Sequence, residues 1–430
     1  MNDMSTSNDI ATIPVANVLF REDLYPRIHH SAETVQKYAE DLDVLPPIEV
    51  NQHHELIDGW HRWTAHRKRE ALEIRARITP TQSDAALLEL AIERNASHGL
   101  QLSQEDKRDM ARRIYAATSE RDRDAKKAQL ARILSVSERT VRDWLSRMDK
   151  DAKEARNRRI LAMWMACYTQ EEIAEAEDLT KQAVALVCQE MADLPKLDKP
   201  STALAEHATD FDAPLYNIWK QQEKTTGSSH FGNSEVRWLD NLLYLYTKPF
   251  DIVVDPFAGG GSTIDLCKKR FRRYWASDRK PIVEREKDIR QHDLTNGLPP
   301  LPRWKDVSLV YLDPPYWAQA AGQYSEDATD LANMPLDQFN ETLAGIIKDF
   351  AKKLSNAHIA LIIQPTQWKA PERQYTDHIG DMLRMVKLPV DMRFSVPYES
   401  QQCNAQMVEW AKEAKRCLVL TREIIVWRVA

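Results

Sequence analysis

The sequence predicts a multidomain α/β chain: a small α/β domain first, a helical middle segment, then a mostly parallel sheet covered by helices. Three observations carry this expectation. The second half alternates short apolar runs (DIVVD, RYWASD, VSLVYLD, HIALIIQP) with helical stretches. Residues 84–166 keep helical spacing almost throughout, and no proline falls between Pro80 and Pro195. The 430 residues fill two to four domains at roughly 100 to 200 residues each.

Taken in order, the first ten residues are polar and are expected to stay outside the fold. IPVANVLF, from Ile13, reads as a strand, Ser31 opens a helix in SAETVQKYAEDL, and PPIEVNQHHELIDG reads as two short strands about a polar turn. WHRWTAHRKREAL is the next helix. These elements set a first domain at 11–83 and a helical segment at 84–194. LPKLDKPSTALAEHATDFDAP, with three prolines, begins a linker over 195–227, and the last domain runs from 228 to 430.

Composition narrows the function classes. With 43% hydrophobic and 29% charged residues the chain is an ordinary globular protein. No run approaches the roughly 18 apolar residues of a membrane span, and MNDMSTSNDI lacks the basic and apolar regions of a secretory leader, so a cytoplasmic protein with no membrane partner is expected. Five cysteines without Cys-x-x-Cys spacing argue against a disulfide framework and a structural zinc site, and no metal is expected. Net charge is −6, yet residues 101–160 hold 17 Lys and Arg against 11 Asp and Glu. That local excess is either a surface for nucleic acid or a helical face laced with i,i+4 ion pairs.

The segment DIVVDPFAGGGSTIDLCKK, residues 251–269, runs three apolar residues into Asp255 and then turns through Gly259, Gly260 and Gly261 into a helix. Such a turn lets a ligand approach the backbone. No Gly-Lys-Ser/Thr follows, which disfavours a phosphate-cradling P-loop. RYWASD ends the next strand on Asp278, where an acid accepts hydrogen bonds from ribose hydroxyls; QHDL offers Asp293; VSLVYLDPPYW delivers Asp313, Pro314, Pro315 and Tyr316 at a further strand end. Each alone is also read as a turn or a loop carboxylate, and Trp317 as either a stacking platform or core.

Together these residues resemble the S-adenosylmethionine-dependent amino-methyltransferases of DNA, whose products are N6-methyladenine or N4-methylcytosine, over roughly residues 228–430. The resemblance implies a Rossmann-like methyltransferase sheet closed by CLVLTREIIVWR. It places Asp255, Pro256, Phe257, Ala258, Gly259 and Gly261 around the methionine part of S-adenosyl-L-methionine, Asp278 on its ribose and Asp293 near its adenine. HFGNSEV, residues 230–236, is a loose match to a further cofactor-contacting stretch. It makes Asp313, Pro314, Pro315 and Tyr316 catalytic. Asp313 and the Pro314 carbonyl would accept hydrogen bonds from the amino hydrogens of a base that Tyr316 stacks upon once it has left the duplex. An Asp at the head of the tetrapeptide leans toward adenine. Residues 318–335, 366–405 or the N-terminal half are left to read the target.

The N-terminal sequence IPVANVLF…LPPIEV…LIDGWHRWTAHR resembles the ParB-like fold, with Gly59-Trp60-His61-Arg62 as its Gly-x-x-Arg turn and Asn95 and His98 in its following box. Gly59 and Arg62 are a candidate nucleotide or phosphate site, or Arg62 is a surface ion pair. KAQLARILSVSERTVRDWLSR and YTQEEIAEAEDLTKQAVALVCQE look like helix-turn-helix units, in which Ser137, Arg139, Thr140 and Arg142, and more weakly Lys181 and Gln182, would meet double-stranded DNA. The combination resembles methyltransferases of phages and mobile elements. A ParB-like regulator with a non-catalytic methyltransferase fold, a single-chain nuclease and methyltransferase, and a homodimer stay open at this point.

Overall fold

The computed structural model describes residues 10–26, 30–97, 102–193, 211–220, 235–285, 287–318, 321–322, 325–367, 375–397 and 405–430. The chain divides into two compact units, Met1–Glu154 and Ala155–Ala430.

The first unit begins with β1 (Ile10–Pro14), α1 (Ala32–Glu40), β2 (Ile48–Val50), β3 (Leu56–Asp58), α2 (Trp60–Lys68) and β4 (Glu73–Ile78). The strands pair in the order β1-β4-β2-β3, with β2 and β4 parallel and the other pairs antiparallel. Ile48, Val50, Leu56, Ile74, Ala76 and Trp63 form the core of this sheet. Ser31 caps α1 as its sequence predicts, accepting the Thr34 amide at 3.1 Å.

Helices α3 (Asp84–Ser97), α4 (Gln104–Ala116), α5 (Arg123–Ile133) and α6 (Glu138–Met165) follow, and α6 contains the boundary between the units. Leu88, Ile92, Met110, Tyr115, Leu130, Val141 and Leu145 bury their side chains together. Between α5 and α6 the chain turns at Ser135, with φ 50°; the Val136 amide returns to the Ala131 carbonyl at 3.0 Å, and the Ser137 hydroxyl accepts the Thr140 amide at 3.1 Å. The same turn recurs between α7 (Gln170–Ala176) and α8 (Lys181–Asp193). There Asp178 has φ 52°, Leu179 returns to Ala174 at 2.9 Å, and Thr180 accepts the Ala183 amide at 3.2 Å. Val141 and Val184, at matching positions, are fully buried.

The second unit continues with α9 (Val236–Tyr246), β5 (Ile252–Asp255), α10 (Ser262–Lys269), β6 (Arg273–Asp278), β7 (Arg290–Gln291), β8 (Val307–Leu312), α11 (Leu336–Lys353) and β9 (Ala357–Ile363). It ends with β10 (Thr366–Gln367), β11 (Tyr375–Thr376), α12 (His378–Val386), β12 (Val390–Pro397), α13 (Ala405–Glu413) and β13 (Thr421–Val429). Seven strands form one sheet in the order β12-β13-β9-β8-β5-β6-β7. From β9 to β7 neighbours are parallel, whereas β13 runs antiparallel to both β9 and β12. The sheet is buried on both faces: Ile252 and Val254 of β5 enter one apolar cluster and Val253 the other, as strand alternation requires.

Two departures from the sequence reading concern boundaries. The helices expected as one block are shared between the units, because the end of α6 is anchored to the sheet. Arg273 donates to the Trp164 carbonyl at 3.1 Å, Arg290 donates to the Ala166 carbonyl at 2.6 Å while its guanidinium covers Trp275 at 3.9 Å, and Cys167 enters the core beside Ile252. Within the stretch read as linker, Asn217–Trp219 pairs with β12. Trp219 donates to Ser395 at 2.8 Å, Ser395 donates to Asn217 at 2.8 Å, and the buried Trp219 indole stacks on Phe394 at 3.9 Å. Residues 195–210, 221–227 and 230–234 lie outside the described residues. Among the described residues, no helix is long and apolar enough to cross a membrane.

A buried ion pair joins α9 to the end of α10, with Arg270 bidentate on Asp240 at 2.6 and 2.9 Å. Removing the acid takes the bidentate carboxylate from a buried guanidinium. Asp240→Ala is expected to cost about 3–5 kcal/mol in chemical denaturation, and an unchanged midpoint would contradict this account of the pair.

Candidate active site

Because β8, β5 and β6 lie side by side and parallel, their carboxyl ends leave the same edge of the sheet. Asp255 ends β5, Asp278 ends β6, and Asp313 directly follows Leu312 at the end of β8. The three acids that the sequence singles out on separate segments are thus brought to one edge.

Asp255 is the buried centre of this group. Its Oδ1 accepts the Phe257 amide at 3.0 Å and its Oδ2 accepts the Thr263 hydroxyl at 2.5 Å. Burial pushes its carboxyl up to about 7 against the pull of those two donors, and the charges of Asp313 and Asp278 add to the rise. The turn from β5 into α10 is drawn against β6: the Ala258 amide donates to the Ser277 carbonyl at 3.0 Å and the Gly259 amide to Asp278 Oδ2 at 3.0 Å. Gly259 and Gly261 have φ of 47° and 80°. A Cβ on Gly261 would stand 2.7 Å from Arg285 Nε, whose guanidinium already donates to the Gly261 carbonyl at 2.9 Å, so Gly261 satisfies both the turn and the close approach.

Asp278 also accepts the Lys280 amide at 3.0 Å. Asp293 accepts the amide and hydroxyl of Thr295 at 2.9 and 2.8 Å, and its other oxygen pairs with Arg279 at 3.0 Å. Burial raises its carboxyl, but Thr295 and Arg279 outweigh that and leave it below the ordinary range. Arg279 reaches on to Asp327 at 2.6 Å. It thereby ties the Asp278 and Asp293 loops to the chain that follows the tetrapeptide.

In the tetrapeptide, Pro314 is buried and Asp313, Pro315 and Tyr316 are half-buried. The Tyr316 hydroxyl donates to Asp313 Oδ1 at 3.1 Å. Trp317, read as platform or core, is core: it is buried, and its indole N–H donates to the Met334 carbonyl at 2.8 Å. Sequence reading missed Thr263, Arg279 and Arg285. The motif itself carries Thr263, but nothing local marks the two arginines.

Elsewhere the candidate residues are already engaged. Ser137 and Thr140 share a hydroxyl contact of 2.8 Å, Arg142 pairs with Glu138 at 3.1 Å, Lys181 pairs with Glu171, and Arg139 and Gln182 are exposed. Arg113–Asp109, Arg147–Asp151 and Lys150–Glu154 are further i,i+4 pairs, so the basic segment is laced in the way its charge spacing allows. In the first unit Gly59, with φ 107°, opens α2, and a Cβ there would meet Ile48 at 2.7 Å. Arg62 pairs with Asp58 at 2.5 Å, the ion-pair alternative of the sequence reading. Asn95 is buried and donates to the Ile57 and Ala91 carbonyls at 3.3 and 2.8 Å; His98 lies outside the described residues.

A parallel sheet with one reversed strand beside its edge strand, a glycine turn after β5 and an Asp-Pro-Pro-Tyr turn after β8 define a Rossmann-like methyltransferase sheet. Residues 106–283 match the family described as DNA methylase, N6_N4_Mtase, a match that takes in Asp255–Gly261 and Asp278 and stops short of Asp313. The match covers less than half of the chain; it supports an enzyme of the DNA amino-methyltransferase class and the use of S-adenosylmethionine. Among solved structures, the chain is similar to a SAM-dependent methyltransferase from Archaeoglobus fulgidus, with 13% identity, 45% of this chain, 94% of that one and a TM-score of 0.29. It is also similar to the truncated chromosome-partitioning protein ParB from Caulobacter crescentus complexed to the centromeric parS site, with 18% identity, 43% of this chain, 89% of that one and a TM-score of 0.23. None of the curated proteins matches the chain.

The raised Asp255 carboxyl sets a pH dependence of stability. Between the ordinary carboxylate range and about 7 the unfolded chain is ionised here while the folded chain holds a proton. The contribution is therefore full at low pH and lost as pH rises through about 7. Asp255→Asn keeps an acceptor for Phe257, and is expected to flatten the fall in stability over that window. An identical pH slope in both proteins, followed by denaturant midpoints, would rule this out.

Proposed function

We propose that the protein methylates the exocyclic amino group of a base turned out of double-stranded DNA, N6 of adenine in the first instance. The observation that carries this reading is the shared edge of Asp255, Asp278 and Asp313. The residues fit the donor. In the turn Pro256, Phe257, Ala258, Gly259, Gly261, the two glycines leave backbone without a Cβ, which suits the methionine portion. Asp278, at the end of β6, is the acceptor proposed for the ribose hydroxyls, and Asp293 is held for the adenine edge by Thr295 and Arg279. When bound, S-adenosylmethionine supplies a methyl carbon activated by a sulfonium. A positive sulfur also suits an edge lined by three acids.

Asp313 and the Pro314 carbonyl accept the two amino hydrogens and thereby turn the nitrogen lone pair toward that methyl carbon. Pro314 and Pro315 keep the loop stiff. Tyr316 offers a ring face for the base and its hydroxyl fixes Asp313. The α5–α6 pair, read as a helix-turn-helix, contributes Arg139 and Arg142 to phosphates, while the Ser137 hydroxyl also caps the helix and Thr140 contacts it. A nucleotide phosphate at Gly59 and Arg62 would have to displace Asp58. The reading places the protein in the cytoplasm, where DNA and donor are both present.

Incubation with DNA and labelled S-adenosylmethionine, followed by digestion to nucleosides, is expected to yield N6-methyldeoxyadenosine. N4-methyldeoxycytidine would instead reassign the base, and absence of any methylated nucleoside on several DNAs would defeat the reading. Asp313→Ala is expected to lower the rate by about a hundredfold or more, the scale of losing a preorganised acceptor. Full activity in that variant would overturn the assigned mechanism.

A further inference from the structure

The chain that leaves the tetrapeptide is fastened by two residues that the reaction does not otherwise use. β10 pairs with β11 so that Thr366 faces Thr376, and this return sets His378, the first residue of α12, against Thr366. Both side chains are buried. The Thr366 hydroxyl lies 3.0 Å from His378 Nε2 and donates to the Trp317 carbonyl at 3.3 Å. A hydroxyl has one hydrogen and a carbonyl only accepts, so Nε2 carries the imidazole hydrogen and donates to Thr366. His378 Nδ1 is then an acceptor, buried and without a hydrogen-bond partner among the described residues. Burial pushes the imidazole down to about 4 against the pull of Asp381 and Asp377, so the ring is neutral at neutral pH. The ring meets Trp317 and Phe339 edge to face, with centroids 5.6 and 5.3 Å away.

We propose that Thr366 and His378 are positioning residues for methyl transfer: their hydrogen-bonded pair holds the Trp317 carbonyl and so fixes the exit of the Asp-Pro-Pro-Tyr turn. The inference rests on the methyltransferase reading above and deepens it. The entry of that turn is set by β8, where Leu312 pairs with Leu361 of β9. Its exit, at Trp317 and Ala318, is a turn with no strand to hold it. There the Ala318 amide donates to the Ala332 carbonyl at 3.1 Å, the Trp317 indole to Met334 at 2.8 Å, and Thr366 takes the carbonyl between them. Asp313 and the Pro314 carbonyl must keep their aim while the amino nitrogen changes shape, and a loop tied at both ends keeps that aim better than one tied at a single end. An imidazole with one nitrogen unpaired is a costly filler for a buried space. A phenyl ring would pack there without that cost, so what the imidazole adds is the hydrogen on Nε2. Both residues lie in the stretch 366–405 that the sequence leaves to read the target; buried as they are, they serve the turn instead.

The test compares Thr366→Val, Thr366→Ser, His378→Phe and wild type on unmethylated genomic DNA with labelled S-adenosylmethionine, together with calorimetric titration of each protein with that donor alone. The expected result is a roughly tenfold fall in kcat for Thr366→Val and for His378→Phe, the scale of one lost hydrogen bond. The donor Kd and the KM for DNA stay at their wild-type values, and Thr366→Ser, which keeps the hydroxyl, recovers most of the rate. Intact donor binding shows that a variant is folded. A wild-type kcat in Thr366→Val or His378→Phe, or an equal loss in Thr366→Ser, overturns the inference. So does a fall in kcat that comes with weakened donor binding, which marks a general loosening of the fold. In each of these outcomes an active wild type leaves the methyltransferase reading standing; an inactive wild type defeats that reading itself, and the inference with it.

Discussion

The parallel pairing of β8, β5 and β6 is the constraint on which the rest of the second unit depends. Hydrogen bonds between parallel neighbours force the three chains to emerge together at their carboxyl ends, whatever their separation in sequence. Both faces of these strands are filled by apolar side chains, so a strand cannot slip by one residue without exposing Val253 or Val254 to the wrong layer. The placement of Asp255, Asp278 and Asp313 is therefore inherited from the core. A loop-borne site would have no such guarantee.

Electrostatics then gives the edge its character. Three acids converge there, one of them fully buried and held partly protonated near neutral pH, and the cations available nearby are each committed in a particular direction: Arg279 to Asp293 and Asp327, Arg285 to the Gly261 carbonyl, Arg422 to the ring of Tyr316. Arg279 ties the loops after β6 to the chain that follows the tetrapeptide, and Arg285 ties the turn from β5 into α10. In the proposed reaction the task of this edge is alignment.

The sequence carried the site's local pieces but not their ties. The glycine turn, the strand-ending Asp278 and the tetrapeptide each stand in one contiguous segment, where residue type and spacing state a backbone requirement. So does the Ser31 cap, and the repeated turn between helices was visible as matching Ala, Ser/Thr and Val positions. Thr366 and His378 were not legible as a pair, because their meeting depends on the return of β11 against β10. The docking of Trp219 on Phe394 was hidden for the same reason: a polar, proline-bearing stretch gives no sign that two of its residues extend a sheet edge. Trp317 was ambiguous because an aromatic after a site motif fits core and platform equally, and only Met334 decides between them.

Whether one edge of one sheet holds donor and base together is decided by hydrogen exchange on the full chain with and without a non-reactive analogue of S-adenosylmethionine. Protection gathered in the amides of 255–261, 278–280 and 293–295, with a smaller effect at 313–317, is the result predicted. Protection confined to a region away from these strand ends, with the amides from 255 to 261 exchanging at their free rate, would contradict it.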